Sequence, residues 1–314
     1  MALFISNEEV QELVTMPEAL QAVDEAFQHF GDGTAVNHPR RRLATPSGGM
    51  QIMPAMDTAT GIGGHKTYFG RGGGLCLIFD IASANVLALI QVSRLGQLRT
   101  GAASGVATKY MARKSSVSLG VIGAGFQAET QIEAVCAVRD IKHIRIYSRT
   151  PDRRKQFAER IAKLTNIEAT PVDTAQQATD GADIVCTATN SSDPVLNGAW
   201  LGEGTHVNAV GSNSLLRKEI DDAVAERANI IAVDDTTQID LEGGDLIGAL
   251  TRGLINRSKL IDLSRIASGQ IPGRLEESHI TLFKSHGIGL EDIAIGQVIY
   301  ENARKEGRGV ELPF

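Results

Sequence analysis

Gly123-Ala124-Gly125-Phe126-Gln127-Ala128 follows the apolar run VSLGVIG and leads into a stretch of helical character. In a strand–turn–helix the first glycine permits the tight turn, and the second lets backbone amides approach a pyrophosphate. Ala128 keeps helix and strand close. The helix start adds partial positive charge, which favours a bound anion. About twenty residues on, a dinucleotide site commonly places an acid that grips a ribose hydroxyl. Here the run HIRIYS ends in Ser148-Arg149-Thr150. Those residues can donate to a 2′-phosphate, and the planar fork of arginine matches phosphate oxygens. A structural reading stands beside this one: Arg149 is solvated and Thr150 caps the helix that Pro151 opens. The pattern favours NADP(H), with NAD(H) as the alternative.

The elements that must hold this turn form a strand–helix alternation from Ser116 onward. VSLGVIG, HIRIYS, IEATPV, ADIVCTAT, THVNAVG and NIIAVDD read as six strands, with helices over Gln127–Val138 and Pro151–Leu164. Such alternation predicts an α/β fold, a mostly parallel sheet with helices on both faces. Ahead of it the rhythm differs. Ser6-Asn7-Glu8-Glu9 and Thr15-Met16-Pro17-Glu18 are capping boxes, and Leu20, Val23, Phe27 and Phe30 share a helical face that Gly31 and Gly33 end. GGMQIMPAM, GGHKTYFG, LCLIFDIA and NVLALIQVS, divided by turns, predict an antiparallel sheet, and Thr100–Arg113 a linking helix. Leu290–Arg308 reads as a last helix. We therefore expect a Rossmann-type dinucleotide-binding domain over 115–289. A second α+β lobe is expected over 1–114, and the pattern alone leaves open whether the last helix returns to it.

A chain of 314 residues can bury the cores of two such lobes. Its net charge of −6 argues against nucleic acid or an anionic membrane as partner. The N-terminus lacks a signal pattern and no apolar run approaches a membrane span, so a cytoplasmic location is expected. Cys76, Cys136 and Cys186 are spaced too widely for a zinc knuckle and are odd in number, against a disulfide framework. The acidic run Asp234–Asp245 reads as a solvated loop with no metal role. His286 reads as a surface residue, and Arg71 as a turn residue rather than a carboxylate ligand.

Across nearly its whole length the chain resembles the ornithine cyclodeaminase/mu-crystallin family. The resemblance is carried by Met53-Pro54-Ala55, Lys66, RTGAASGVATKYMAR from Arg99, GAGFQA, YSRT and HVNAVGS from His206. Gly273-Arg274 and TLFKSHGIGLEDIA from Thr281 complete it. It implies a homodimer in which 1–114, with 290–314 returning to it, serves substrate and dimer contacts, and in which a nicotinamide cofactor interconverts a small α-amino acid and its α-imine. Arg42, Lys66 and Arg99 match the family's cationic positions, which meet the substrate carboxylate and polarise the reacting centre. The run Arg40-Arg41-Arg42 leaves that first register open by one. Converging cations orient an α-imino acid for hydride attack, and a lysine among arginines has a lowered pKa suited to proton donation.

In cyclodeaminases of the family, a catalytic aspartate stands where this chain has Asn213, and an amide cannot take a proton from a substrate amine. The expected reading is an NAD(P)H-dependent oxidoreductase that reduces a small α-imino acid or cyclic ketimine, or runs the reverse oxidation. An ornithine cyclodeaminase and a non-catalytic NADPH- or ligand-binding protein like mu-crystallin are the alternatives. Gly123, Gly125, Gln127, Ala128 and Thr100 are expected at the pyrophosphate. Ser148, Arg149 and Thr150 go to the 2′-phosphate, and Thr187, Thr189, Val210, Gly211 and Ser285 to the nicotinamide side. Glu219, Asp221 and Asp222 read as helix-start charges.

Overall fold

The computed structural model describes residues 1–70 and 73–313, so Arg71 lies outside the described residues. It divides into two compact units, Met1–Ala103 with Gly287–Phe314, and Ser104–His286. The first unit opens with β1 (Ala2–Ile5), α1 (Asn7–Leu13) and α2 (Met16–Gly31), followed by β2 (Ala35–Asn37) and β3 (Arg41–Thr45). β4 (Gly48–Asp57), β5 (Ile62–Phe69), β6 (Gly74–Asp80) and β7 (Val86–Gln91) form its main sheet, and α3 (Val92–Met111) contains the point of division.

In the second unit β8 (Ser118–Ile122), α4 (Phe126–Val138), β9 (His143–Tyr147), α5 (Pro151–Thr165) and β10 (Ala169–Pro171) alternate. They are followed by α6 (Ala175–Thr179), β11 (Ile184–Thr187), β12 (His206–Ala209), α7 (Asp222–Arg227) and β13 (Ile230–Val233). The unit ends with α8 (Ile239–Glu242), α9 (Gly244–Thr251), β14 (Leu260–Asp262), α10 (Leu263–Ala267) and β15 (Thr281–Lys284). The chain then finishes in the first unit with α11 (Gly289–Glu306) and β16 (Val310–Leu312).

Both expected capping boxes form. Ser6 and Thr15 accept from the backbone N–H of Glu9 and Glu18, and each glutamate reaches back to its cap. They fix where α1 and α2 begin, and α2 then buries Ala19, Val23, Ala26 and Phe27. The sheet of the first unit runs β16-β1-β7-β6-β5-β4-β2, with β3 on β4. The four anticipated strands pair antiparallel, and β1 joins β7 in parallel. Gly296 of α11 lies so close to the sheet that a Cβ there would meet Ile78 Cδ1 at 2.6 Å. The linking helix starts at Val92, eight residues before the expected Thr100, because NVLALIQVS is strand only to Gln91.

The second unit has the order β10-β9-β8-β11-β12-β15-β13-β14, with every pair parallel. This is a Rossmann-type α/β lobe, and the first unit is α+β. Ile184–Thr187, His206–Ala209 and Ile230–Val233 are buried throughout, as central parallel strands covered on both faces must be. One core cluster gathers Ile132, Val135, Phe157 and Ile161; the other gathers Val207, Val224, Leu246 and Leu282. Thr281–Lys284, read above only as part of a motif, is β15 and separates β12 from β13. Among the described residues no helix is long and apolar enough to cross a membrane.

Candidate active site

Lys66 sits on β5, opposite Met53 of β4 and Cys76 of β6. Strand alternation turns it to the face on which α11 packs. Its ammonium donates to Asp292 Oδ1 at 2.7 Å. Arg99, from α3, donates to Glu291 Oε2 at 2.9 Å and brings Nε within 3.3 Å of Asp292 Oδ1. Glu291 and Asp292 occupy the first turn of α11, and all four residues are buried. Burial pushes Lys66 down to about 8; Asp292 resists this, while Arg99 and Arg40 add to it. Burial also works against the charge on Arg99, yet Asp292 and Glu291 outweigh it and hold the guanidinium above its usual range. The second oxygen of Asp292, Oδ2, is buried and accepts no hydrogen bond among the described residues.

Of the Arg40–Arg42 run, Arg40 is the arginine that lies in this cluster. It is 4% exposed, donates from Nη2 to the Gly287 carbonyl at 3.2 Å, and lowers Lys66 by its charge. Arg42, the residue expected there, is exposed on β3. Residues two apart in one strand share a face, so what separates the pair is the strand boundary: Arg40 precedes β3 and Arg42 lies within it. Gly287 joins the two arginines. Its φ is +77°, and a Cβ would lie 2.1 Å from Arg99 Nη1, so a side chain there would displace the guanidinium. Glu291 and Asp292 were not singled out from sequence, because acids in a first helical turn are what the helix dipole ordinarily attracts.

In the second unit, Gly123 has φ +129°, and a Cβ would strike the Ala188 carbonyl at 2.4 Å. Gly125 caps α4 with no side-chain cap bond, and a Cβ there would meet nothing within 4 Å. The turn thus leaves open space in front of helix amides, as a pyrophosphate needs. Ala128 is fully buried against the sheet, and Gln127 Oε1 is buried without a partner among the described residues. Thr150 is the N-cap of α5, but its side chain makes no cap bond. Arg149 is exposed, whereas Arg154 is buried and holds the turn by donating to Ser148 O at 3.1 Å and Asp173 Oδ1 at 2.6 Å. Thr100, in the first unit, donates its hydroxyl to Gly96 O of its own helix.

The residues expected on the nicotinamide side all leave the carboxyl ends of β11, β12 and β15. Ser285 N–H donates to Ala209 O at 3.1 Å; Gly211 leaves the adjacent β12, and Thr189 leaves β11 beyond it. Thr187 is wholly buried, with its hydroxyl donated to Glu219 at 2.9 Å. Glu219 is accordingly no helix-start charge. Asp221 caps α7 and Asp222 lies in its first turn, but Glu219 is fully buried. Burial pushes its carboxyl up, against the pull of Lys284 and of the N–H groups of Thr189 and Gly211.

The acidic run is likewise no solvated loop. Asp234, Asp235, Glu242 and Asp245 are buried; Asp234 accepts from the His286 backbone N–H, and Asp245 pairs with Lys284. His286 is 3% exposed, not a surface residue. The cysteines are free thiols, with Cys136 and Cys186 each pushed up to about 12 by burial.

Relatives share this architecture. Alanine dehydrogenase of Archaeoglobus fulgidus is 33% identical over 99% of this chain and 98% of its own. The structure of Thermococcus litoralis Delta(1)-pyrroline-2-carboxylate reductase in complex with NADH and L-proline superposes with a TM-score of 0.94. It is 33% identical, covering 99% of this chain and 100% of that one. An archaeal alanine dehydrogenase dimer with bound NAD gives 0.92 at 31% identity, covering 100% of this chain and 99% of that one. Residues 2–307 match the sequence pattern of one family from end to end, and the chain belongs to the ornithine cyclodeaminase/mu-crystallin family.

Proposed function

We propose that this protein is a nicotinamide-dependent oxidoreductase that reduces a small α-imino acid or cyclic ketimine to the amino acid, or catalyses the reverse oxidation. The observation that carries the reading is the buried cluster around Lys66. Arg40, Lys66 and Arg99 against Glu291 and Asp292 leave a formal surplus of one positive charge, which a substrate α-carboxylate neutralises. Similarity in sequence and fold to a pyrroline-2-carboxylate reductase and an alanine dehydrogenase supports the same chemistry.

The glycine turn fits a dinucleotide: Gly125 leaves the space a pyrophosphate would fill, and the amides opening α4 would hold it. When bound, the reduced nicotinamide supplies a hydride. Arg40 and Arg99 orient the substrate carboxylate. Lys66 protonates the substrate nitrogen, since an ammonium titrating at about 8 holds its proton at neutrality and can release it. Ser148, Arg149 and Thr150 favour NADPH, because none of the three is a carboxylate that would repel a 2′-phosphate and the Thr150 hydroxyl is not spent on its helix. Asn213 cannot serve as the base that ring closure of ornithine requires.

The working form is a cytoplasmic homodimer. The face of β4–β7 away from α11 carries Ile52, Leu75, Leu77, Phe79 and Leu89, all partly exposed and suited to covering by a second copy. The dimer recorded for an alanine dehydrogenase relative supports this.

NADPH and NADH consumption, followed with pyrroline-2-carboxylate, piperideine-2-carboxylate, and pyruvate with ammonia or methylamine, tests the reading. At least one substrate should be reduced, faster with NADPH, and Lys66→Met should cost on the order of a hundredfold in kcat. No turnover with any of them, or proline from ornithine without net NADH, would overturn it. Equal rates with the two cofactors would remove the 2′-phosphate assignment alone.

A further inference from the structure

Glu219 is a fully buried carboxylate with its oxygens directed at the backbone of two loops. Oε1 accepts from Thr189 N–H at 2.5 Å, and Oε2 from Gly211 N–H at 2.5 Å and the Thr187 hydroxyl at 2.9 Å. We propose that Glu219 is a positioning residue for the nicotinamide end of the dinucleotide site, clamping the segments that leave β11 and β12 into one rigid edge. This rests on reading the second unit as the dinucleotide-binding half.

Two features separate a built clamp from an ordinary buried acid. The first is Gly211: a Cβ there would lie 2.2 Å from Thr189 O and 2.4 Å from Glu219 Oε1, so glycine at this position is what admits the carboxylate. The second is the support behind it. The backbone N–H groups of Glu219 and Ile220 donate to Asp245 Oδ1 at 2.6 and 3.1 Å. The other oxygen of Asp245 is 3.0 Å from the fully buried Lys284 Nζ, which donates to Ser212 O at 2.6 Å and Ala209 O at 3.2 Å. The ring of contacts therefore closes from the end of β12, through the end of β15, back to Glu219. Ligands of open parallel sheets bind outside the carboxyl ends of the strands, and this ring lies at those ends. The adenosine end is served by β9 and its turn, which this ring does not touch.

Glu219→Gln keeps the size but sets an amide NH2 against one backbone N–H, so one loop loses its acceptor. The purified full-length variant should melt as one transition. It should bind NADH or NADPH at least tenfold more weakly while binding ADP within twofold of wild type. Its primary deuterium isotope effect on kcat, with NADH or NADPH deuterated at the transferred position, should rise. Thr187→Val, which removes only the hydroxyl donor, should show the same pattern in smaller measure, and it decides the question if Glu219→Gln does not fold. Unchanged affinity for both NADH and ADP, or equal loss of both, would overturn the assignment. Wild-type protein that binds neither NADH nor NADPH would instead overturn the dinucleotide reading beneath it.

Discussion

Lys66 is held where burial and charge pull in opposite directions. Burial removes stabilisation of the ammonium, Asp292 restores part of it, and the two arginines subtract again. The outcome, about 8, makes the residue a usable proton donor at neutrality. The sign follows: reduction needs the protonated form, so kcat/KM for the imine should fall as pH rises through about 8, while amino-acid oxidation should rise over the same range. Asp292→Asn removes the charge that raises Lys66, so the falling limb should move to lower pH, with a loss at pH 8 on the order of tenfold. A pH profile that keeps its limb in Asp292→Asn would show that the proton comes from elsewhere.

At the scale of elements, the C-terminus of α3 shows why Arg139 and Arg274 are needed. The last carbonyls of a helix have no partners within it. Arg139 Nη2 donates to the carbonyls of Thr108, Lys109 and Ala112 at 2.8, 3.0 and 2.8 Å, and its Nε to Arg113 O at 2.8 Å. Arg274 Nε takes Met111 O at 2.8 Å. Gly273 lets that arm in, since a Cβ would meet Tyr110 O at 2.6 Å. Arg139→Ala should destabilise by about 2 kcal/mol, because the carbonyls it serves lose their donor. Thermal melting should show a clear drop in Tm that Arg139→Lys does not restore, because a point ammonium cannot span carbonyls that a guanidinium reaches as a fork. A Tm unchanged in Arg139→Ala would mean that water replaces the side chain without cost.

At the scale of the whole molecule, the face of the first unit's sheet away from α11 is a run of partly exposed apolar side chains. Leu77 lies at its middle, paired across β5 and β7 with His65 and Leu89. A charge placed there would be desolvated if a second copy covers the face and harmless if water does. Leu77→Lys should therefore shift the mass measured by light scattering from two chains to one without lowering the helix content read by circular dichroism. A dimer that survives Leu77→Lys would place the interface on another surface.

What could be read from the sequence was what neighbours in the chain decide. Capping boxes, the glycine turn, alternation within β4–β7 and the buried runs of the parallel sheet depend on residues a few positions apart, and all of them formed. Lys66 and Arg99 could be singled out as cations, but not their partners. Asp292 is 226 residues from Lys66, Glu291 is 192 from Arg99, and both acids look like ordinary dipole charges until α11 is laid on the sheet. The same holds for Glu219, whose burial follows from two strand ends meeting, and for β15, inserted between β12 and β13 by a late crossover. Arg40 rather than Arg42 is the buried arginine because β3 begins only at Arg41, a boundary that a run of three arginines does not mark. Local pattern set the elements; only their packing brought distant charges together, since the energy of a buried ion pair exists only once both partners have left water.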